Sequence, residues 1–541
     1  MPGGPEGRGA KIAGSARPAT RVRAGRPLGL ALLLLASCDG PDAGKAPGAT
    51  LRIDVVGDFD PKASRTVVGG PREVLMNATQ VGLVDFDAQG QVVPGLATSW
   101  RVSDDGLSYI FRLRDARWED DRELTAGDVV AVMRRIMAPD SHHPLKPLLR
   151  RIENAPEVIA GKRPPKTLGV YDPLPNIVEI RLASPQPQLL QMLAHPSLSI
   201  IRRGEFPPAT GPFTVTDGQA RPIVLRRNQR YYDASAVAVE RVELMPMPEA
   251  VEAVGRFRRG ATDIVTGGTV AGLAEARTVP TPQALRLEPS YGVYGYLANS
   301  RRGPTADPRV RRALGMAIDR AAIVERLFGI DAMQPVPGLV PPNLPSYGEP
   351  PAPAWATLPP EARLAQARAL LAEAGYGPDK PLTVDVGLPA AQEHAAVLAA
   401  VARDWAAIGV RTRATTRTRE AHAETLAAGR FELALVERLS PVDSGYFFLV
   451  PFGCANRAGG YCNPAADRLL DQTRTMADLD ARRRALQGAE QMIAADQPAI
   501  MLFTPVRWSL VHPRVSGWSE NISGAHPLSR LDVLPQEVGR E

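Results

Sequence analysis

The chain has 541 residues, of which 44% are hydrophobic and 23% charged. It is therefore globular and too long for a single hydrophobic core, so two or three domains are expected. The net charge is +6, yet residues 1–37 hold Arg8, Lys11, Arg17, Arg21, Arg23 and Arg26 against Glu6, a net +5. Everything after them is close to neutral, so the basicity belongs to this leader and is no footprint of a nucleic-acid partner.

In chain order, the basic leader precedes a short apolar run at 28–35 that ends in Leu35-Ala36-Ser37-Cys38. A bilayer needs roughly 20 apolar residues, so this run fits a secretory signal peptide better than a span. No other segment is apolar enough to cross a membrane. Residues 38–50, rich in Gly, Pro and Ala, read as a flexible tether.

The folded part begins at 51, where Leu51, Ile53 and Val55 alternate with Arg52 and Asp54 as in a strand. Asp105-Gly106 is a turn pair, after which Tyr109, Phe111 and Leu113 alternate with Ile110, Arg112 and Arg114. Asp120-Asp121 is the next turn, Thr125 sits at the N-cap of a helix over 126–137, and Pro139 closes it. A strand is expected at 177–182. Farther on, Asp307 is an N-cap with Pro308 at the first helical position. Val310, Leu314, Ala317, Ile318, Ala321 and Leu327 fall near one face of a helix running to Gly329. A helix over 360–374 ends at Gly375, and 382–386 alternates as a strand.

These elements carry a dense, ordered series of residues. Pro94, Leu96, Ala97, Ser99 and Trp100 are followed by Asp105, Gly106, Tyr109, Phe111, Leu113 and Arg114. Then come Trp118 and Asp120, and Leu124, Thr125, Ala126, Asp128 and Val129. The series resembles the extracellular solute-binding proteins, family 5, of bacterial ABC importers, the dipeptide- and oligopeptide-binding group. Their pattern is P-x-L-A-x-S-W, D-G-x-x-Y-x-F-x-L-R, W-x-D-G and L-T-A-x-D-V. Asp121 replaces the Gly of W-x-D-G, a departure expected to alter one turn. Thr210-Gly211-Pro212-Phe213 resembles the family's T-G-P-[FY], and 310–320 its V-R-x-A-[LI]-x-x-A-[IL]-D-R. Residues 185–196, 403–410 and 482–498 resemble family helices, the last leading into an apolar strand at 499–503.

The resemblance implies an α/β periplasmic-binding-protein fold (class II, cluster C type), two lobes around a ligand cleft plus an inserted domain. Lobe I would comprise 51–84, 210–290 and 505–541, the inserted domain 85–209, and lobe II 291–504. It implies a substrate-binding component that captures a peptide or similar small solute by hinge closure and delivers it to membrane permease subunits, with the ATPase on separate chains. Small residues before Cys38 resemble the bacterial lipobox, which implies a lipid anchor on Cys38; the alternative is a plain signal peptide with an incidental cysteine. Asp39, in lipoproteins resembling those of enterobacteria, favours the inner membrane. The expected location is the periplasm, lipid-anchored, or the cell surface.

Enzyme signals are absent: no phosphate loop, H-E-x-x-H, C-x-x-C or G-x-S-x-G occurs, and neither a cofactor nor a metal is expected. His142-His143 reads as a solvated, Pro-flanked loop, with a metal site as the alternative. Cys454 and Cys462 bracket a Gly-Gly reversal. In an exported protein such a pair is more often bridged than free, and family members carry a bridge in the equivalent loop; a metal or redox pair is the rival reading.

Peptide binders of the family hold the ligand's amino group with an Asp and its carboxylate with an Arg. The corresponding loop here is 437–443, upstream of Phe447-Phe448, and it offers Glu437, Arg438, Ser440 and Asp443. Ser440 falls at the amino-anchor position and Asp443 three residues later, while 387–392 lacks the Arg. A dipeptide binder of the standard kind is therefore not expected, and a nickel complex or glycoside is an alternative ligand. Tyr291, Tyr294, Tyr296, Asn299 and Trp508, near the crossings between lobes, are further cleft candidates, with a core role as the alternative for each aromatic. The rival classes are a lipoprotein that senses a solute or binds a partner without transport, and a secreted enzyme.

Overall fold

The computed structural model describes residues 49–57, 59, 70–203 and 207–534. The segment expected to be a signal peptide, Cys38 and most of the expected tether lie outside the described residues.

Three sheets dominate. The largest has seven strands in the order Leu285–Pro289, Val506–Val511, Ile264–Thr266, Thr50–Val56, Arg241–Met247, Ile223–Arg227 and Phe213–Asp217. Thr50–Val56 runs parallel to both of its neighbours and is buried on both faces from Ile53 on, as central parallel strands are: Ile53, Asp54, Val55 and Val56 are all buried. The second sheet has five strands, Arg411–Arg417, Thr383–Pro389, Leu433–Leu439, Gly292–Ala298 and Ala499–Phe503. The third is antiparallel: Ala97–Val102, Ser108–Leu113, Ile177–Arg181 and Val170–Leu174.

In the four-stranded sheet, Tyr109, Phe111 and Leu113 are buried while Ile110 and Arg112 face out, so the alternation is realised residue by residue. Phe111 packs in one core with Ile53 and Leu225 of the large sheet. Truncating it to Ala would cost about 3–5 kcal/mol by opening a cavity. A second core runs from Val265 and Trp508 to Tyr294, Phe503 and Trp405, and so joins the seven- and five-stranded sheets. A third, with Val293, Tyr347, Phe448 and Ile493, covers the other side of the five-stranded sheet.

The helix Ala126–Met137 starts at Thr125, whose N–H donates to Asp128 Oδ2 at 3.0 Å. Asp121 adopts φ 70, the left-handed conformation that glycine favours, and Arg230 pairs with it at 3.1 Å. An Asp tolerates that region better than most side chains, so the turn is kept where a change was expected.

Three expectations need correction. The helix expected over 307–329 is two, Pro308–Ala317 and Arg320–Leu327. Asp319 breaks it by capping the second, accepting from Ala322 N at 3.1 Å, and the Arg320 guanidinium donates to Met501 O (2.7 Å) and Gly315 O (3.0 Å) across the break. Within 185–196 only Leu189–Leu193 is α-helical. His143 is buried, not solvated: its Nε2 lies 2.9 Å from Ser197 O, and burial lowers its pKa. Among the described residues no group of His, Cys, Asp and Glu is arranged to hold a metal ion.

Candidate functional site: the cleft between the two large sheets

Two chain segments pass between the large sheets. Residues 290–291 join Leu285–Pro289 to Gly292–Ala298, and residues 504–505 join Ala499–Phe503 to Val506–Val511. On each side the strands they connect are hydrogen-bonded neighbours, so the two crossings lie side by side. They are tied together where Ser290 Oγ donates to Pro505 O. Side-by-side crossings of two residues each give the geometry of a hinge, because a few φ/ψ changes there swing one sheet against the other.

The strand Leu433–Leu439 and the turn after it form one wall of the space beside that hinge. Leu433, Ala434 and Leu435 are core, and the polar residues begin where the strand leaves it. Glu437 reaches the loop that follows Ile264–Thr266 of the other sheet, accepting a hydrogen bond from Thr269 Oγ1 at 2.8 Å. Protein surrounds its carboxyl while accessible surface remains, as for a side chain in a cleft. Desolvation pushes its pKa up, against the opposing pull of the Thr269 hydroxyl and Arg419. Arg438 turns along its own side of the sheet, donating to Phe447 O at 3.0 Å with its guanidinium 4.8 Å from the Phe447 ring centroid. Burial lowers its pKa to about 10.

Asp443 is 9% exposed. Its carboxylate accepts from Ser346 N (2.8 Å) and Ser346 Oγ (2.7 Å), and no cation lies within ion-pair distance among the described residues. Burial raises its pKa, and the two Ser346 donors oppose the rise. Ser440 instead braces the turn: its Oγ donates to Val442 O at 2.6 Å and its N–H to Tyr291 O at 2.7 Å.

Of the remaining sequence candidates, Tyr291 is half-buried and the others face inward. Tyr294 stacks on Phe503 with centroids 4.7 Å apart, and its hydroxyl lies 3.1 Å from His394 Nδ1. Tyr296 is likewise fully buried. Asn299 donates from Nδ2 to Gly429 O and Phe431 O, and accepts from Arg301 N. Trp508, 1% exposed, donates to Ala271 O at 3.0 Å and lies against Gly267, where a Cβ would fall 2.2 Å from its ring. The structure thus gathers Glu437, Arg438, Ser440 and Asp443 on one edge and sets Trp508 behind the loop that carries Thr269. Cys454 and Cys462 are joined by a disulfide, with Cα atoms 4.7 Å apart.

Two cavities adjoin this region that no local motif announced. One, of about 330 Å³, lies between residues 147–192 and the part of the chain holding Asp443, Tyr446 and Arg482. The other, of about 150 Å³, is lined by Thr266, Glu288, Trp508, Trp518 and His526 beside the seven-stranded sheet. There His526 Nε2 lies 3.0 Å from Glu288 Oε2.

Comparison with known proteins agrees with this architecture. The periplasmic oligopeptide-binding protein OppA of Salmonella typhimurium is 29% identical, over 86% of this chain and 88% of that protein. The periplasmic murein peptide-binding protein MppA of Escherichia coli is 27% identical, over 84% and 87%. The probable deoxycholate-binding periplasmic protein YgiS of Escherichia coli is 28% identical, over 81% and 84%. A solved structure of MppA superposes with a TM-score of 0.81 at 24% identity, covering 90% of this chain and 99% of that one. The unliganded open form of MppA, at the same 24% identity and covering 90% and 98%, gives 0.65. The family described as bacterial extracellular solute-binding proteins, family 5 Middle, matches residues 91–460. A match over more than half of the chain, on this fold, makes the protein a member of the bacterial extracellular solute-binding proteins, family 5.

Proposed function

We propose that this protein is the substrate-binding component of an ABC importer. It captures a peptide or similar small solute between two lobes, one built on the seven-stranded sheet and the other on the five-stranded sheet. The four-stranded sheet belongs to an inserted domain. The observation that carries the reading is the pair of adjacent two-residue crossings at 290–291 and 504–505, with Thr269 and Glu437 meeting in front of them. Closing such a hinge over a ligand removes water from the charged groups in the cleft and strengthens their hydrogen bonds to it. The closed form is then the shape presented to the permease, whose ATPase lies on other chains.

Relatives named for oligopeptide and murein-peptide binding support a peptide-class ligand, and the relative named for deoxycholate supports a second reading in which the solute is not a peptide. Asp443, a buried carboxylate with no cation partner among the described residues, is the anchor for a ligand amine, with Glu437 and Arg438 flanking it. Export and lipidation at Cys38, followed by the tether, would hold the receptor near its permease. Native mass spectrometry of protein purified without refolding tests the binding function: a small-molecule adduct released by mild denaturation is expected. Protein that carries no adduct and binds no member of a mixed peptide library would refute the peptide reading.

A further inference from the structure

The 330 Å³ cavity has an unusual balance of charge. Five of its lining residues are arginines: Arg150, Arg151, Arg474, Arg482 and Arg483. Two are already neutralised, Arg474 by Asp471 at 3.2 Å and Arg483 by Asp480 at 2.8 Å. The other three have no carboxylate within ion-pair distance among the described residues. Arg151 donates only to backbone carbonyls, Pro185 O (3.0 Å) and Thr473 O (2.8 Å). Arg482, 8% exposed, also donates to Pro185 O and to Met476 O, and its buried Nε has no partner. Arg150 has a buried, unpartnered Nε too. The remaining acid on the lining, Asp443, is turned to Ser346.

Buried like charges repel, and desolvation adds to the cost. Arg151 responds to both: burial first, and Arg482 beside it, push its pKa down to about 9. Carbonyl dipoles satisfy individual N–H groups but do not cancel net charge. A fork of guanidinium donors around a cavity matches the planar, multi-acceptor geometry of an oxyanion. Tyr446, a residue with a hydroxyl donor, is on the same lining.

We propose that Arg150, Arg151 and Arg482 form an anion subsite that receives an acidic group, a carboxylate or a phosphate, of the transported solute. The subsite spans residues 147–192 and the five-stranded side, so the inserted domain takes part in choosing the ligand. It would supply a cation that 387–392, which lacks the family's arginine, does not. The inference rests on the cleft-binding reading above and deepens it: the preferred solute carries negative charge beyond any main-chain terminus.

The test is calorimetric titration of the exported protein with the tripeptides Ala-Glu-Glu, Ala-Gln-Gln and Ala-Lys-Lys, alongside melting curves with inorganic phosphate. Arg150 is the residue to change, because Arg151 and Arg482 also hold backbone carbonyls. Ala-Glu-Glu is expected to bind about tenfold or more tightly than Ala-Gln-Gln, and its affinity to fall as salt rises. Arg150→Gln should erase most of that preference and Arg150→Lys should keep part of it. Phosphate that competes with Ala-Glu-Glu in the wild type but not in Arg150→Gln would extend the subsite to oxyanions in general. Equal binding of the Glu and Gln peptides, or a preference that survives both Arg150→Gln and Arg482→Gln, overturns the proposal while leaving peptide binding intact. If no tripeptide binds, the peptide reading fails separately and the phosphate arm decides: a rise in Tm confined to wild type supports the subsite, and equal melting of both proteins overturns it.

Discussion

Thr269 Oγ1 donates to Glu437 Oε2 at 2.8 Å; Thr269 lies in the loop after Ile264–Thr266 of the seven-stranded sheet, Glu437 on a strand of the five-stranded sheet, and the chain passes between those sheets at the two short crossings. On the proposed hinge the bond would span the space that opens and closes, which would make Glu437 a reporter of closure. A hydrogen bond to a charged acceptor is worth about 1.5–3 kcal/mol, enough to bias the hinge without locking it. Thr269→Val, which keeps the shape and removes the donor, should shift the ligand-free protein toward a more open arrangement. Small-angle scattering would show a larger radius of gyration; an unchanged radius would mean the bond does not restrain the hinge.

Glu437 also predicts a pH effect. Its pKa is raised in the folded protein, so the folded state holds the proton more tightly than the unfolded one. The associated stability is fully present below the unfolded carboxylate pKa and is lost as pH rises through the folded pKa. Glu437→Gln keeps an acceptor for Thr269 and never ionises. It should melt higher than wild type at pH 7 without solute, with the difference vanishing toward pH 4. A variant no more stable than wild type at pH 7 would contradict this account.

Asp443→Asn retains a hydrogen-bond acceptor for Ser346 and removes the charge. Losing one member of a buried ion pair typically costs roughly 2–5 kcal/mol, so binding of an amine-bearing ligand should weaken about thirtyfold or more. N-acetylating the ligand should cost the wild type a similar factor and the variant little. Equal affinities of the two proteins in calorimetric titration would remove Asp443 from the site. Asp443→Ala is the less clean test, since it orphans the Ser346 N–H as well.

Gly267 predicts a packing effect. A Cβ there would fall 2.2 Å from the Trp508 ring, so Gly267→Ala must displace the indole and the loop carrying Thr269. Overpacking of this kind costs about 1–3 kcal/mol. The variant should unfold at lower denaturant and show altered tryptophan emission; wild-type behaviour in both would contradict the packing described.

Two predictions concern the cysteines. Replacing both Cys454 and Cys462 with Ser opens a short loop and should cost about 2–3 kcal/mol in a chain-entropy estimate, read from urea melts. Intact mass before and after reduction and alkylation checks the bridge itself. Cys38→Ala should release the protein from membranes into the soluble fraction; membrane attachment surviving high salt would refute the anchor.

The fold was legible wherever one face of an element is buried and the other wet. Tyr109, Phe111 and Leu113 announce their strand, and Thr125 with Asp128 marks a helix start that the structure keeps. Legibility fails at Asp319, where a capping side chain overrides an apolar stripe that continues through it. It fails also in Gly292–Ala298, which is apolar and almost entirely buried, so alternation could not say whether Tyr294 faces ligand or core. The loop 437–443 stands out only by resemblance, and its polar residues divide between contacts across the two large sheets, as for Glu437, and the bracing of a turn, as for Ser440. The arginine cavity left no trace in any local pattern, because Arg151 and Thr473 meet across 322 positions of sequence.

The most direct test of the central claim is the distance between the two lobes with and without solute. Spin labels at Val251→Cys and Met492→Cys occupy exposed positions on helices packed against different sheets. Pulsed dipolar spectroscopy of protein freed of endogenous solute should give a broad distribution that narrows and shifts by several ångströms once a ligand identified by native mass spectrometry is added. Distributions that stay superimposable at ligand concentrations shown by calorimetry to be saturating would contradict capture by hinge closure.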